Sequence, residues 1–339
     1  MNESRIYTIA DIAEMCNVSK ATVSRVVNNK SEGVGAETRK LIQDKIKQFN
    51  YRPSSIARSI ATSHSRMVGL IIPDASNLFY PSIIKGVCDS LEENGYSMIL
   101  ANSDSDPQKE AELLMSMVDM RVEGVILCSG VSNKKFLSGY HKYNIPLVAI
   151  GRTFDTDYSQ ASISGNNFTG AQIAARHLLE GGNAHIYYID GAPDYSGVMQ
   201  KREGFITAMT EDGRGFSENH MFTGDFSFEY GFNTVENLIQ QKRPISAIFA
   251  GSDLIAVGVV NALTAYKRKV PEEVEVVGYD DIVLSQMIRP QLTTIHKPHD
   301  SMARRAVEML LQVISGDIGD LCHITVEPKL VVRETTRPR

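Results

Sequence analysis

From Met67 onward, short apolar runs alternate with amphipathic stretches of helical length, and a chain written that way is held to parallel sheets covered on both faces. Val68–Pro73 predicts a buried strand, Tyr80–Asn94 a helix and Tyr96–Ala101 the next strand. Helix Asp106–Met120 precedes strand Gly124–Cys128, and helix Lys134–Tyr143 precedes strand Pro146–Ile150. The scheme restarts with helix Phe168–Glu180, strand His185–Asp190, helices Lys201–Asp212 and Tyr230–Gln241, strand Ser246–Ala250, helix Leu254–Tyr266 and strand Val274–Gly278. Two such runs imply two lobes, and 339 residues exceed what one core ordinarily holds.

The first 66 residues follow a different pattern. Ile9, Ile12 and Ala13 form one apolar helix face behind a capping Thr8, and Cys16-Asn17-Val18 makes a turn in which Asn tolerates a left-handed backbone. Ser19 caps a second helix whose Val23, Val26 and Val27 point inward. Its other face carries Lys20, Ala21, Thr22, Ser24, Arg25 and Asn28. Short hydroxyls, an amide and two cations on one face suit a helix that enters a DNA major groove, the second member of a helix-turn-helix. An ordinary helical hairpin with a solvated polar face is the alternative on these residues alone. A third helix from Gly35 to Phe49 turns Leu41, Ile42, Lys45, Ile46 and Phe49 inward, completing a small all-α head.

Charge divides along the same line. Residues 1–65 hold 10 Lys+Arg and 6 Asp+Glu, whereas the whole chain carries −5. A basic head on an acidic body suits a protein that touches phosphates at one end. Cys16, Cys88, Cys128 and Cys322 are scattered, and no His sits at metal-ligand spacing from them, so neither structural zinc nor a disulfide framework is expected. The N-terminal residues lack a signal-peptide core and no apolar run reaches a membrane span of ~20 residues, which predicts a cytoplasmic protein, nucleoid-associated when bound to DNA.

Between head and body, Ser55–Thr62 is long enough for only two helical turns, an unstable length in isolation, and Ile56 and Ile60 give it an apolar edge. In the body, ligands of open parallel sheets bind beyond the carboxyl ends of the strands. Those ends carry Asp74 to Tyr80, Asn102 to Asp104, Ser129, Gly151-Arg152, Gly191 to Arg202, Gly251 to Asp253 and Tyr279 to Asp281. Aromatics, carboxylates, amides and a few cations facing one cleft suit a polar molecule with several hydroxyls.

Over essentially its whole length the chain resembles the LacI/GalR family of bacterial transcription regulators. The resemblance is carried by Thr8-Ile-Ala-Asp-Ile-Ala13, Val18-Ser-Lys-Ala-Thr-Val-Ser-Arg-Val-Val-Asn28, Tyr51-Arg-Pro53, Ile56-Ala-Arg-Ser59 and Val68-Gly-Leu-Ile-Ile-Pro-Asp74. Further on, Arg121-Val-Glu-Gly-Val-Ile126, Val277-Gly-Tyr-Asp-Asp281 and Arg289-Pro-Gln-Leu-Thr-Thr-Ile295 continue it. It implies a helix-turn-helix head over 1–52, a hinge over 53–66 and a two-lobed, periplasmic-binding-protein-like body over 67–339. Within the body it implies an N-lobe of about 67–164 and 296–325 and a C-lobe of about 165–295 and 326–339. A homodimer on a near-palindromic operator follows, with Lys20, Ala21 and Arg25 reading bases, Thr22, Ser24 and Asn28 nearer the phosphates, and Thr8 and Ser19 also among the DNA-binding residues. From the hinge, Ser54, Ser55, Ala57, Arg58, Ile60 and Ala61 would meet the minor groove, Ile60 as an apolar wedge.

The matching effector positions are Phe79, Tyr80, Ser129, Ser252, Asp253 and Asp280. For Asp253, which precedes a helix, capping stands level with ligand contact. Three positions depart from the family pattern. Lys201 stands where Arg is common, Gly151-Arg152 where Asp is frequent, and Gly165 where the usual Val-Asp-Asn segment has its Asp. Fewer acids and more cations point to an anionic carbohydrate effector, a sugar acid or sugar phosphate, met by Lys201, Arg152 or Arg202. The alternative is a catabolite-control regulator with a phosphorylated protein as corepressor. No phosphate-binding loop, nucleophile elbow or metal cluster is present in the sequence, so neither an enzyme nor a cofactor is expected.

Overall fold

A computed structural model describes residues 7–28, 32–51, 64–128, 140, 142–151, 161–192, 196–213, 217–317 and 323–339. The chain divides into two compact units, Met1–Arg66 and Met67–Arg339. In the first, α1 (Ile9–Met15) and α2 (Lys20–Val27) are joined by the expected turn, with Asn17 in the left-handed region at φ 51°. Thr8 and Asp11 form a reciprocal capping box, and the Ser19 hydroxyl accepts from the Thr22 amide at 3.1 Å. These bonds satisfy donors that every helix start leaves open. The third helix, α3 (Ala36–Gln48), closes a core of Ile12, Ala13, Cys16, Val23, Val26, Ile42 and Tyr51. Leu41 is the exception to the sequence reading. It is 43% exposed, because Ile42 and Ile46 already fill the narrow stripe that two short partner helices can cover.

The second unit holds two six-stranded sheets. The first contains β1 (Met67–Ile72), β2 (Ser97–Asn102), β3 (Gly124–Leu127), β4 (Leu147–Ile150) and β5 (Ala161–Gly165). The second contains β6 (Ile186–Gly191), β7 (Met221–Gly224), β8 (Ala247–Ala250), β9 (Glu275–Asp280) and β10 (Thr293–His296). After β10 the chain re-enters the first sheet as β11 (His323–Val326), then joins the second as β12 (Lys329–Val331). The orders are β11-β5-β4-β3-β1-β2 and β12-β10-β9-β8-β6-β7. Every pairing is parallel except β10 with β12. The chain therefore passes between lobes three times, just after Gly165, His296 and Val326.

Helices α4 (Tyr80–Glu93), α5 (Pro107–Asp119) and α11 (His299–Ser315) cover the first sheet, giving it a core on each face. Helices α6 (Asn167–Glu180), α7 (Ser196–Glu211), α8 (Phe228–Gln240) and α9 (Asp253–Ala265) cover the second. A single turn, α10 (Leu284–Met287), follows β9. Strands buried on both faces explain the continuous apolar runs of the sequence. Helix α7 starts at Ser196, earlier than the expected Lys201, and α11 carried no sequence expectation. The helix expected over 134–143 falls almost entirely outside the described residues, as does the hinge helix over 55–62.

Candidate functional site

Between the two lobes of the body, at the carboxyl ends of the strands, lies a cavity of about 470 Å³. The β1–α4 segment supplies Pro73, Asp74, Asn77, Phe79 and Tyr80 to one wall, joined by Ser105, Cys128 and Ile150. The opposite wall comes from Asn167, Ser196, Lys201, Asp225, Phe226, Ser252 and Asp280, and Lys297 lies at the second crossing. Aromatic rings stand on both sides, with polar atoms between them. Phe79 packs edge-on against Tyr80 with centroids 4.9 Å apart, and against His299 at 4.6 Å.

Lys201 is not a free cation. Its ammonium lies 3.0 Å from both carboxylate oxygens of Asp190 and donates to the Gly251 carbonyl. Asp190 is fully buried and Lys201 only 5% exposed. Tyr188 donates its hydroxyl to the same carboxylate, and the Gly191 amide donates at 2.7 Å. Burial pushes the Tyr188 phenol well above its ordinary pKa, and the neighbouring Asp190 pushes it the same way. A Cβ at Gly251 would stand 2.0 Å from the Asp190 carboxyl carbon, so the absence of a side chain there is what admits the carboxylate. The Lys201 ammonium also sits 5.0 Å from the Tyr279 ring centroid and 5.5 Å from that of Phe226.

A second pair lies across the cavity floor, where Lys297 Nζ stands 2.8 Å from Asp280 Oδ1 with each side chain 13% exposed. Burial opposes ionisation of Asp280, but Lys297, His299 and Lys201 outweigh it and hold the carboxyl below its ordinary pKa. Asp280 and Asp281 adopt φ of 103° and 56°, two successive residues outside the regions that L-residues prefer. Asp281 is fixed there by Arg333 at 2.6 Å and His296 at 3.0 Å. Backbone strain of this kind gathers where a site is held in one shape by its surroundings. Burial, then the adjacent Lys297, lowers the His299 pKa to about 4, so its imidazole is neutral at pH 7.

Five of the sequence-derived effector residues line this cavity: Phe79, Tyr80, Lys201, Ser252 and Asp280. Ser252 lines it while capping α9, its hydroxyl accepting from the Ile255 amide at 3.2 Å. Asp253 does not line it. It is fully buried and accepts from Ser285 Oγ at 2.6 Å, Thr294 Oγ1 at 2.5 Å and the Ile282 amide at 2.8 Å. Burial raises its pKa to about 7, so Asp253 ties α9 to the segment after β9. Arg202 pairs instead with Glu218 at 3.1 Å, away from the cavity. Ser129 and Arg152 lie outside the described residues, as do Ser54, Ser55, Ala57, Arg58, Ile60 and Ala61. The sequence reading missed Asp190 and Lys297, although each sits at the end of a strand.

In the head, Lys20, Ala21, Arg25 and Asn28 are exposed on α2, and Thr22 and Ser24 are half-buried. Thr8 and Ser19 are exposed and occupied as caps. The Asn28 amide donates to the Ser24 carbonyl at 2.9 Å. The face opposite Val23 and Val26 is therefore the polar one that the sequence predicts.

Removing Lys201 should harm the fold before it harms binding. Lys201→Met strands the Asp190 carboxylate without its cation, and breaking a buried pair costs about 3–5 kcal/mol. Urea unfolding of the full chain should show a loss of that order, with intrinsic tyrosine fluorescence as one probe. An unfolding curve that matches the unsubstituted protein would mean that the pair does not hold the lobe together.

Residues 65–332 match the family of periplasmic binding proteins and sugar binding domains of the LacI family, and residues 8–54 match the lacI family of bacterial regulatory proteins. The chain is 34% identical to the HTH-type transcriptional repressor PurR of Klebsiella pneumoniae, covering 97% of this chain and 96% of that protein. It is 34% identical to the ribose operon repressor of Halalkalibacterium halodurans, with 97% of each covered. It is 31% identical to catabolite control protein A of Priestia megaterium, with 97% and 99% covered. Among solved structures, the transcriptional regulator CelR–cellobiose complex superposes with a TM-score of 0.74 at 27% identity, covering 97% and 99%. A lac repressor dimer bound to operator shares the fold, with a TM-score of 0.87 at 24% identity and coverage of 98% and 99%. With its helix-turn-helix head and two-lobed body, the chain belongs to the LacI family and is a DNA-binding transcriptional regulator, not an enzyme.

Proposed function

We propose that this regulator is a cytoplasmic repressor that binds a near-palindromic operator as a homodimer and is controlled by a small neutral carbohydrate held between its lobes. The observation that carries the effector reading is the pairing of the cavity's described cations. Both described cations of its wall are already paired, Lys201 with Asp190 and Lys297 with Asp280. The preference for an anionic effector rested on cations left without partners, and these two are not. A carboxylate or phosphate would have to share an ammonium with the aspartate it already pairs, and would meet Asp74, Asp225 and Asp280 in the same wall. Phe79, Tyr80 and Phe226 offer apolar faces to a sugar ring, while Asn77, Asn167, Ser196 and Asp280 meet hydroxyls. The phosphoprotein reading loses its specific support, because Lys201 is enclosed and unavailable to a protein surface.

Support for this reading also comes from relatives, a ribose operon repressor and a cellobiose-bound regulator, each named for a neutral sugar. Thermal melts of the full chain test it. A neutral sugar should raise the melting temperature and its sugar-acid counterpart should not, because stabilisation follows differential binding to the native state. A larger shift with the acid would overturn the neutral assignment.

For the operator, we assign base reading to Lys20, Ala21 and Arg25, with Thr8, Ser19, Thr22, Ser24 and Asn28 at the backbone, and the hinge residues in the minor groove. An exposed Arg in the last turn of a short helix has the reach to fork onto a guanine. Arg25→Ala should cost about 1–3 kcal/mol and relax preference at one base pair per half-site in selection from random duplexes. Uniform weakening across all sequences would show that Arg25 touches only phosphate.

A further inference from the structure

The side chain of Lys297 runs to the cavity floor through the space that a side chain at residue 165 would occupy. Gly165 ends β5 at the first crossing between lobes, and Lys297 follows β10 at the second. A Cβ at Gly165 would stand 2.7 Å from Lys297 Cδ, closer than real Cβ atoms come to any neighbour. The lysine stem therefore lies across the bare face of the glycine. Its ammonium is delivered to Asp280 at 2.8 Å, over the Phe79 ring at 5.1 Å and the Tyr279 ring at 5.0 Å. Phe79 belongs to one lobe and Tyr279 to the other, so the cation sits where their walls meet.

We infer that Lys297 determines effector specificity: with Asp280 it presents a fixed ammonium–carboxylate couple that selects a ligand carrying two adjacent hydroxyls, and Gly165 is the residue that makes room for it. Both members line the cavity, and both are 13% exposed. Neighbouring hydroxyl oxygens on a sugar ring reproduce the spacing of the couple. One hydroxyl accepts from the Lys297 ammonium and the next donates to the Asp280 carboxylate, with no net charge required of the ligand. Each bond has one ionised partner, the stronger class of hydrogen bond. The inference rests on the carbohydrate reading above and deepens it.

Full-length protein is titrated calorimetrically with D-ribose, D-xylose, D-glucose and cellobiose, and with D-gluconate and D-galacturonate as anions. Lys297→Ala deletes the donor. Gly165→Ala keeps the lysine and displaces its stem, so it tests the same contact without leaving Asp280 bare of any nearby cation. Each should weaken the neutral sugar that binds by about 10- to 100-fold, the equivalent of one charge-assisted hydrogen bond. The double variant should bind no more weakly than Lys297→Ala alone, since without the lysine nothing opposes an alanine at 165. Lys297→Ala strands Asp280 and should lower the melting temperature, whereas Gly165→Ala keeps a cation nearby, so every titration is run well below the melt of each variant. A neutral sugar bound equally by all four proteins would overturn the inference and leave the carbohydrate reading intact. So would additive losses in the double variant, which would separate the two positions. Binding of gluconate or galacturonate but of none of the four neutral sugars would overturn both, as would the absence of binding by all six.

Discussion

Asp190 is a carboxylate with no exposure to water, and the C-terminal lobe is arranged around giving its oxygens partners. An isolated carboxylate in such a place would take up a proton before it stayed ionised, because desolvation of a charge costs several kcal/mol even after relaxation. Here Lys201, the Tyr188 hydroxyl and the Gly191 amide all point at it. That demand explains why residue 251 is glycine and why Lys201, on α7, turns into the lobe instead of toward a ligand. It also fixes the mouths of β6 and β8, which form one side of the cavity. The second pair, Lys297 with Asp280, answers the same demand at the crossings.

The three passages between lobes give the cavity its construction. Each wall belongs to its own sheet, while Lys297 belongs to a connection between the lobes. Asp253 holds the neighbouring segment by a different device. It accepts three hydrogen bonds from β10, from α10 and from the Ile282 amide, and burial lifts its pKa to about 7. The sign of its contribution is opposite to that of His299. Native Asp253 retains a proton that the unfolded chain has lost between pH 3.8 and about 7, so stability from this group falls as pH rises through that window. Native His299 stays neutral between about 4 and 6.5 while the unfolded chain binds a proton, so stability there falls as pH drops. The two slopes oppose each other across the acid range.

Much of this architecture was legible in the sequence because it depends on local pattern. The capping residues Thr8 and Ser19, the left-handed Asn17 and the apolar runs of the strands are short-range signals, and each occurs as read. The cavity wall was legible in outline, since Phe79, Tyr80, Lys201, Ser252 and Asp280 line it from strand ends, whereas Asp253 and Arg202 do not. What the pattern does not encode is pairing. Lys201 and Asp190 are eleven residues apart on different elements, and Lys297 meets Asp280 across a strand pair. Counting cations near a cleft treats each as available, whereas the fold gives Lys201 the carboxylate of Asp190 and Arg202 that of Glu218. Gly165 was noted as a departure from the family, but its meaning as a slot for Lys297 exists only in three dimensions.

The central claim is that both described lysines of the cavity wall are held in buried ammonium–carboxylate pairs. Nitrogen-15 spectra of the lysine ammonium groups, recorded on the full chain at neutral pH and low temperature, test it directly. Paired, shielded ammonium protons exchange slowly with water and exposed ones do not. The account predicts two protected ammonium signals, one removed by Lys297→Ala and the other assigned to Lys201, both still present without any ligand. A spectrum with no protected ammonium, or one in which protection arises only when an anion is added, would contradict it.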